Sequence, residues 1–98
     1  MAAYPTTSIE DSREAFKVFG SVPGVGKSLS VDLWELGMRS MDDLAKGDPE
    51  VMYEETKRLA GGSMDRCVLY VYRCAVAYAQ NPEIDPELRK WWNWKDKR

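Results

Sequence analysis

The stretch GSVPGVGKSLS, residues 20–30, constrains the fold more than any other part of this chain. Proline fixes φ near about −65° and lacks a backbone donor, so neither a helix nor a central strand runs through Pro23. Val22, just before it, is pushed toward extended backbone. Gly24 and Gly26 accept positive φ and allow close backbone approach. The chain therefore turns here, and a helix begins at once near Lys27. The amides of residues 26–29 then have no partner inside their own helix. Together with the positive end of the helix dipole they make a ready anion site, with Lys27 adding charge beside it.

The remaining turn signals divide the rest of the chain into helices. Ser8 is placed to cap a helix from Ile9 to Gly20, with Asp11 as a capping-box partner and Ile9, Ala15, Phe16, Val18 and Phe19 on its inner side. The helix that starts at Lys27 runs to Leu36, with Leu29, Leu33, Trp34 and Leu36 inward. Ser40 caps a short helix in SMDDLAK. Asp48 and Pro49 are N-cap and N1 of a helix to about Ala60, with Val51, Met52, Tyr53 and Leu59 inward. GGS at 61–63 breaks the chain again, and Ser63 is expected to cap MDRCVLYVYRCAVAYAQ. The Val and Tyr content of that run also suits a strand. Its length without a turn signal, and the Asn81-Pro82 stop, favour a central buried helix. Asp85-Pro86 then opens a short helix containing ELRKWWNWK. The expected fold is all-α, a compact bundle of about five or six helices in a single domain, residues 1–98, with the hairpin at 22–26. Residues 1–7 and 96–98 are expected to be flexible.

Composition limits the chemistry. The 98 residues contain no histidine, which removes the commonest general base and metal ligand together. Cys67 and Cys74, seven residues apart on one helix, are about 10 Å apart along the axis, too far for a disulfide. Two thiols do not make a zinc site. Small buried hydrophobes in a reducing compartment is the favoured reading of both. No nucleophile has a base, and Asp42-Asp43 are explained as helix-start acids. The expectation is a non-enzymatic protein with no cofactor and no metal site. No apolar run approaches the about 20 residues that span a bilayer, and MAAYPTTSIEDSRE has no signal-peptide pattern. No membrane partner is expected, and the expected location is cytoplasmic.

Gly26-Lys27-Ser28 invites comparison with a P-loop, which needs Gly-x-x-x-x-Gly-Lys-[Ser/Thr] after a strand. The first glycine would fall at position 21, which is serine, and the preceding segment reads as a helix. VPGVGKSLSVDLWELGMRSMDDLA instead resembles a helix-hairpin-helix motif. Its continuation is similar to the sequel of that motif in the N-terminal domains of recombinases and in the C-terminal domain of the alpha chain of RNA polymerase. DPEVMYEETKRLAGGSMDRCVLYVYRCAVAYA followed by WWNWKD resembles the small bacterial pathogenicity-locus family of stand-alone helix-hairpin-helix proteins, over roughly residues 9 to 96. In DNA-binding hairpins of this kind, the glycines present amides to a phosphate and a nearby cation adds charge. The resemblance carries these roles to Gly24, Gly26 and Lys27, with Val25 and Ser28 completing the segment. It implies weak, non-sequence-specific DNA binding through the backbone. The same hairpin also occurs as a plain structural corner, and that reading stays open.

Charge pulls the other way. Sixteen acids face fourteen bases, for a net charge of −2 and a pI near 5.1, where nucleic-acid domains often exceed about 9. Acids crowd residues 32–55, while bases dominate 57–73 and the C-terminus. A basic surface of Lys27, Arg66, Arg73, Lys95, Lys97 and Arg98 is one arrangement this pattern allows. Arg66, Arg73 and Gln80 recur every seven positions and form one stripe. The favoured reading is that the two arginines lay their stems on apolar surface and pair with Glu54 and Glu55; contact with a partner is the other. In RKWWNWKDKR, Trp91 and Trp94 are expected to clamp the last helix to the core. Trp92 faces elsewhere and is the candidate for outside contact, by stacking on the bases of a single strand or by anchoring a protein partner or a second copy.

Overall fold

The computed structural model describes residues 9–96. They form five α-helices: α1 Ile9–Phe19, α2 Lys27–Glu35, α3 Met41–Ala45, α4 Pro49–Leu59 and α5 Cys67–Gln80. Two 3-10 turns follow, Pro86–Arg89 and Trp91–Trp94. No strand occurs among the described residues. The expected Ser8 cap and the expected flexible residues 1–7, 97 and 98 lie outside them.

Local chemistry accounts for most boundaries. Ser40 Oγ accepts the Asp43 amide at 3.1 Å, while Asp43 Oδ2 accepts the Arg39 amide at 2.9 Å, a reciprocal pair that starts α3. Asp48 Oδ1 accepts the amides of Glu50 and Val51 ahead of α4, with Pro49 in the first turn. At the end of α2 the chain reverses through Gly37 at φ 93°. The Gly37 amide bonds the Trp34 carbonyl and the Met38 amide that of Leu33, the pairing of a Schellman motif.

Two boundaries differ from the sequence-based expectation. Ser63 does not cap α5. The helix starts at Cys67, and Asp65 Oδ1 accepts the Cys67 amide at 2.8 Å. Asp65 lies two residues before the helix, within reach of the first free donor, and its charge makes the stronger acceptor. The C-terminal ELRKWWNWK is not one helix. Lys90, at φ −94° and ψ 112°, is extended and separates the two 3-10 turns. Asp85 does cap the first, through the Glu87 amide.

The centre of the molecule is α5. Leu69, Val71, Tyr72, Cys74, Ala75 and Val76 are buried along it, and it packs against α3, α4 and both 3-10 turns. The other large helix pairing is α1 on α2. Phe19, Val22, Val25 and Leu33 of that pair join the α5 side chains in one core. Three residues expected inside are exposed: Ile9 at 71%, Phe16 at 40% and Val51 at 65%. Ile9 and Phe16, seven apart, share a stripe of α1 rotated away from Ala15 and Phe19. Val51 is likewise rotated off the stripe of Met52, Tyr53 and Thr56, which buries α4.

The buried hydroxyls of Thr56 and Tyr72 bond each other at 2.8 Å and join α4 to α5. Replacing Thr56 by Val is expected to lower stability by about 1–2 kcal/mol, because a buried hydroxyl loses a partner. The same change in a Tyr72→Phe background should be smaller in effect. Urea denaturation of the four proteins of this double-mutant cycle measures the difference.

Candidate functional site: the turn between the first two helices and its C-terminal support

The turn is built from the core outward. The Gly20 amide bonds the Phe16 carbonyl, the Val22 amide that of Phe19, and the Val25 amide that of Val22 at 3.0 Å. Val22 and Val25 are buried at 2% and 5% exposure and pin the turn to the core. Gly24 has φ 80°, a left-handed conformation that disfavours side chains. A Cβ there would stand 3.2 Å from Trp91 Cδ1 and 3.3 Å from Val71 Cγ1. The glycine thus permits both the turn and its seat on the C-terminal segment.

Gly26 is the N-cap of α2 and brings no side-chain acceptor. Ser30 Oγ and the Ser30 amide both donate to the Gly26 carbonyl, at 2.8 and 3.0 Å. Among the described residues no hydrogen bond takes up the amides of Lys27, Ser28 and Leu29. Gly26, Lys27 and Ser28 are exposed, and nothing lies within 4 Å of a Cβ built on Gly26. The open donors therefore face solvent at the positive end of α2.

The sequence-predicted segment splits accordingly. Gly24, Gly26, Lys27 and Ser28 are exposed. Val25 offers neither side chain nor amide, because one is buried and the other bonds Val22. Gly24 supports the turn by packing. Residues the sequence reading did not assign to the site come from α1. Ser12, Arg13 and Phe16 line one groove with Lys27, Ser28 and Val31. Lys27 Nζ stands 5.9 Å from the Phe16 ring centre, and Lys17 lines an adjoining groove with Arg13 and Phe16. Packing of α1 on α2 brings Arg13 and Phe16 beside Lys27 and Ser28. Acids also lie among these cations: Glu10 and Glu14 line the groove of Arg13 and Lys17, and Glu14 pairs with Lys17 at 3.8 Å. Glu35 is pushed above the usual carboxylate range, first by partial desolvation, then by Asp32, with Asp11 adding to this and Arg39 opposing it.

The basic surface considered from sequence does not assemble in the expected way. Arg66 pairs with Asp96 at 2.8 Å, and Arg73 pairs with Asp96 at 2.9 Å and Glu50 at 2.8 Å. The expected partners Glu54 and Glu55 are not those used. Glu50, one turn earlier on α4, lies beside Arg73 instead, and the C-terminal segment folds back to deliver Asp96. Gln80, the third member of the stripe, donates to the Ala45 carbonyl at 2.9 Å. Lys95 is exposed, while Lys97 and Arg98 lie outside the described residues. Asp96, expected to begin a flexible tail, is tied at both carboxylate oxygens. Arg73 also donates to the Trp94 carbonyl at 2.9 Å, and Trp94 Nε1 donates to the Leu88 carbonyl at 2.8 Å. Trp91 packs on the core; Trp92, 50% exposed, meets it edge-on with ring centres 5.7 Å apart.

Neither cysteine is poised as a nucleophile. Hydrogen bonding to Asp65 pushes the Cys67 thiol up, and burial pushes the Cys74 thiol up. Among the described residues no group of three or more His, Cys, Asp or Glu converges on a metal position, and no helix is long and apolar enough to cross a membrane.

These features define a small all-helical protein with an open, uncapped helix start beside basic side chains, supported by a latched C-terminal segment. A family model described as Cdd1, pathogenicity locus, matches residues 12–98, and the chain belongs to that family. No curated protein and no solved structure matches it.

The geometry of the turn separates its two glycines. Gly24→Ala is expected to destabilise by about 1–3 kcal/mol through its left-handed φ and its crowding against Trp91. Gly26→Asp is expected to leave Tm unchanged or raise it, since aspartate is a favoured N-cap and meets open space; calorimetry of both variants checks the contrast. A further prediction concerns pH. Hydrogen bonds from Arg66 and then Arg73 hold the Asp96 carboxyl below its ordinary value of 3.8. Its contribution is therefore full above that value and is lost as pH falls through the lower folded one. In a Tm series from pH 6 to pH 2, Asp96→Asn should show a shallower acid decline than the parent, the residual slope coming from Glu55 and Asp65, which are also held low.

Proposed function

We propose that this chain is a small non-enzymatic helix-hairpin-helix module of the cytoplasm that binds nucleic-acid backbone, DNA foremost, weakly and without reading sequence. The observation that carries this reading is the set of open amides at Lys27, Ser28 and Leu29 at an uncapped helix start, where Lys27 and Ser28 are exposed. Arg13 and Lys27 share one groove beside them. A phosphate oxygen is the ligand such a site suits, because it accepts several N–H donors and carries the charge that the helix start favours. Gly26 keeps the approach open, as any side-chain acceptor at that position would compete for the same amides. Lys27 and Arg13 are the long polar side chains beside the amides, and their charge suits phosphate. No cofactor or metal enters this reading. The net charge of −2 fits weak rather than tight binding.

A second reading, a protein-interaction or self-association module, has a specific observation in its favour. Trp92 and Leu88 are exposed large apolar residues on the C-terminal segment, at 50% and 42%. Sedimentation of the protein at rising concentration, with Trp92→Ala beside it, tests this reading directly.

The deciding experiment is a fluorescence-anisotropy titration of labelled single- and double-stranded DNA at several salt concentrations. Two or three phosphate contacts give a slope of log K against log salt of roughly −2 to −3 for duplex. Gly26→Asp is expected to abolish binding while remaining folded, because its carboxylate occupies the amides and repels phosphate. Binding that is equally strong in a folded Gly26→Asp protein would remove this reading.

A further inference from the structure

The turn that carries the open amides rests on the last described segment of the chain. Trp91 Cδ1 and Cβ stand 3.2 and 3.7 Å from the position of a Gly24 Cβ, and Val71 Cγ1 of α5 stands 3.3 Å from it. The indole and Val71 therefore pack together against Gly24, where the turn meets the core. Among the described residues no hydrogen bond ties Trp91 directly to α5. The residues after it hold it in place: the Trp94 carbonyl accepts from Arg73, and Asp96 receives Arg66 and Arg73 together. Trp94 also anchors backward, to the Leu88 carbonyl. A line of direct contacts thus runs from the Asp96 latch through the second 3-10 turn to Trp91 and on to Gly24, two residues before the open helix start.

We infer that Trp91 is a positioning residue for the anion site: latched by Asp96, the C-terminal segment holds the turn in the geometry that presents the α2 amides. This rests on the phosphate-binding reading above. The mechanism is steric. The turn contains a left-handed glycine, whose backbone has more alternative conformations than any other residue. Val22 and Val25 anchor the turn in the core, and the indole confines Gly24 together with Val71. Without the ring only Val71 remains against Gly24, and its left-handed backbone has room to flip. The Val25 amide bond to Val22 then opens, and the helix start no longer has a fixed direction. Binding weakens because a phosphate must then order the turn as well as contact it.

The test uses the full chain, with two readouts. Hydrogen exchange of the free protein follows the Val25 amide, which bonds Val22 across the turn, and the amide of Ala75, buried inside α5, which reports global opening. Anisotropy with labelled duplex DNA at low salt follows affinity. Trp91→Ala and Asp96→Asn are each expected to speed Val25 exchange and weaken DNA binding by roughly three- to thirtyfold, the range carried by packed side-chain networks. Ala75 exchange should stay near the parent value. Trp91→Phe, which keeps a ring against Gly24, should restore most of both. Asp96→Asn leaves Trp91 in place and keeps the experiment decisive should Trp91→Ala fail to fold. Parent-level Val25 exchange and affinity in the folded variants overturns the positioning role while leaving the phosphate reading intact. Faster Val25 exchange in the variants of a parent protein that binds no DNA overturns the phosphate reading and with it the functional half of this inference, leaving the segment as a structural buttress. Equal acceleration of Val25 and Ala75 also overturns it, since the loss is then one of global stability.

Discussion

The fold depends on the burial of α5. Along fourteen residues this helix presents a polar face only one stripe wide, continuing from Arg66 through Arg73 to Gln80, while the rest of its surface is apolar. Such a helix is stable in water only when neighbours cover it on nearly every side. The chain supplies α3, α4 and the two 3-10 turns for that purpose, and the α1–α2 pair closes the core through Phe19, Val22, Val25 and Leu33. The position of the 20–26 turn is a consequence. Its two valines are part of the cover, so the glycines between and after them are fixed in space by the core, not by the turn alone.

The polar stripe of α5 has a complementary role. Half-buried arginines require carboxylates. Here they receive one from α4, Glu50, and one from the end of the chain, Asp96. The second choice has the larger structural effect. It pulls the tryptophan segment across α5 and sets Trp91 beside Gly24. A surface ion pair contributes little by itself. This one matters through the segment it holds in place, which has little regular secondary structure of its own.

Charge is distributed along the α1–α2 pair in a way that composition conceals. The chain is acidic as a whole, and Asp32 and Glu35 come soon after the turn in sequence. In the folded protein Glu35 interacts with Asp32 and Asp11, while Arg13, Phe16 and Lys27 meet beside the turn. The packing of α1 on α2 produces this arrangement. A net charge summed over residues has no information about it.

Local decisions are written in the order of residues. The five helices, the Ser40, Asp48 and Asp85 caps, and the turn at Pro23 are legible because capping, proline geometry and glycine act over a few neighbouring residues. Burial is legible where a stripe is unambiguous, as for Leu33 or Tyr72, and not where one residue lies just off it, as for Phe16 and Val51. The cap of α5 is not legible, because two acceptors, Ser63 and Asp65, lie close together ahead of the helix and the choice between them depends on where the chain arrives. Of the candidate site, the exposed Gly26-Lys27-Ser28 segment is legible from helix-start chemistry. The commitment of Val25 to the core, the contribution of Arg13, the pairing of Arg73 with Asp96 and the seat of Gly24 on Trp91 emerge only on packing. Each joins residues far apart in the chain or commits a side chain to the core. Such contacts are selected by which apolar surfaces must be covered, a property of the whole packed molecule that no local run of residues encodes.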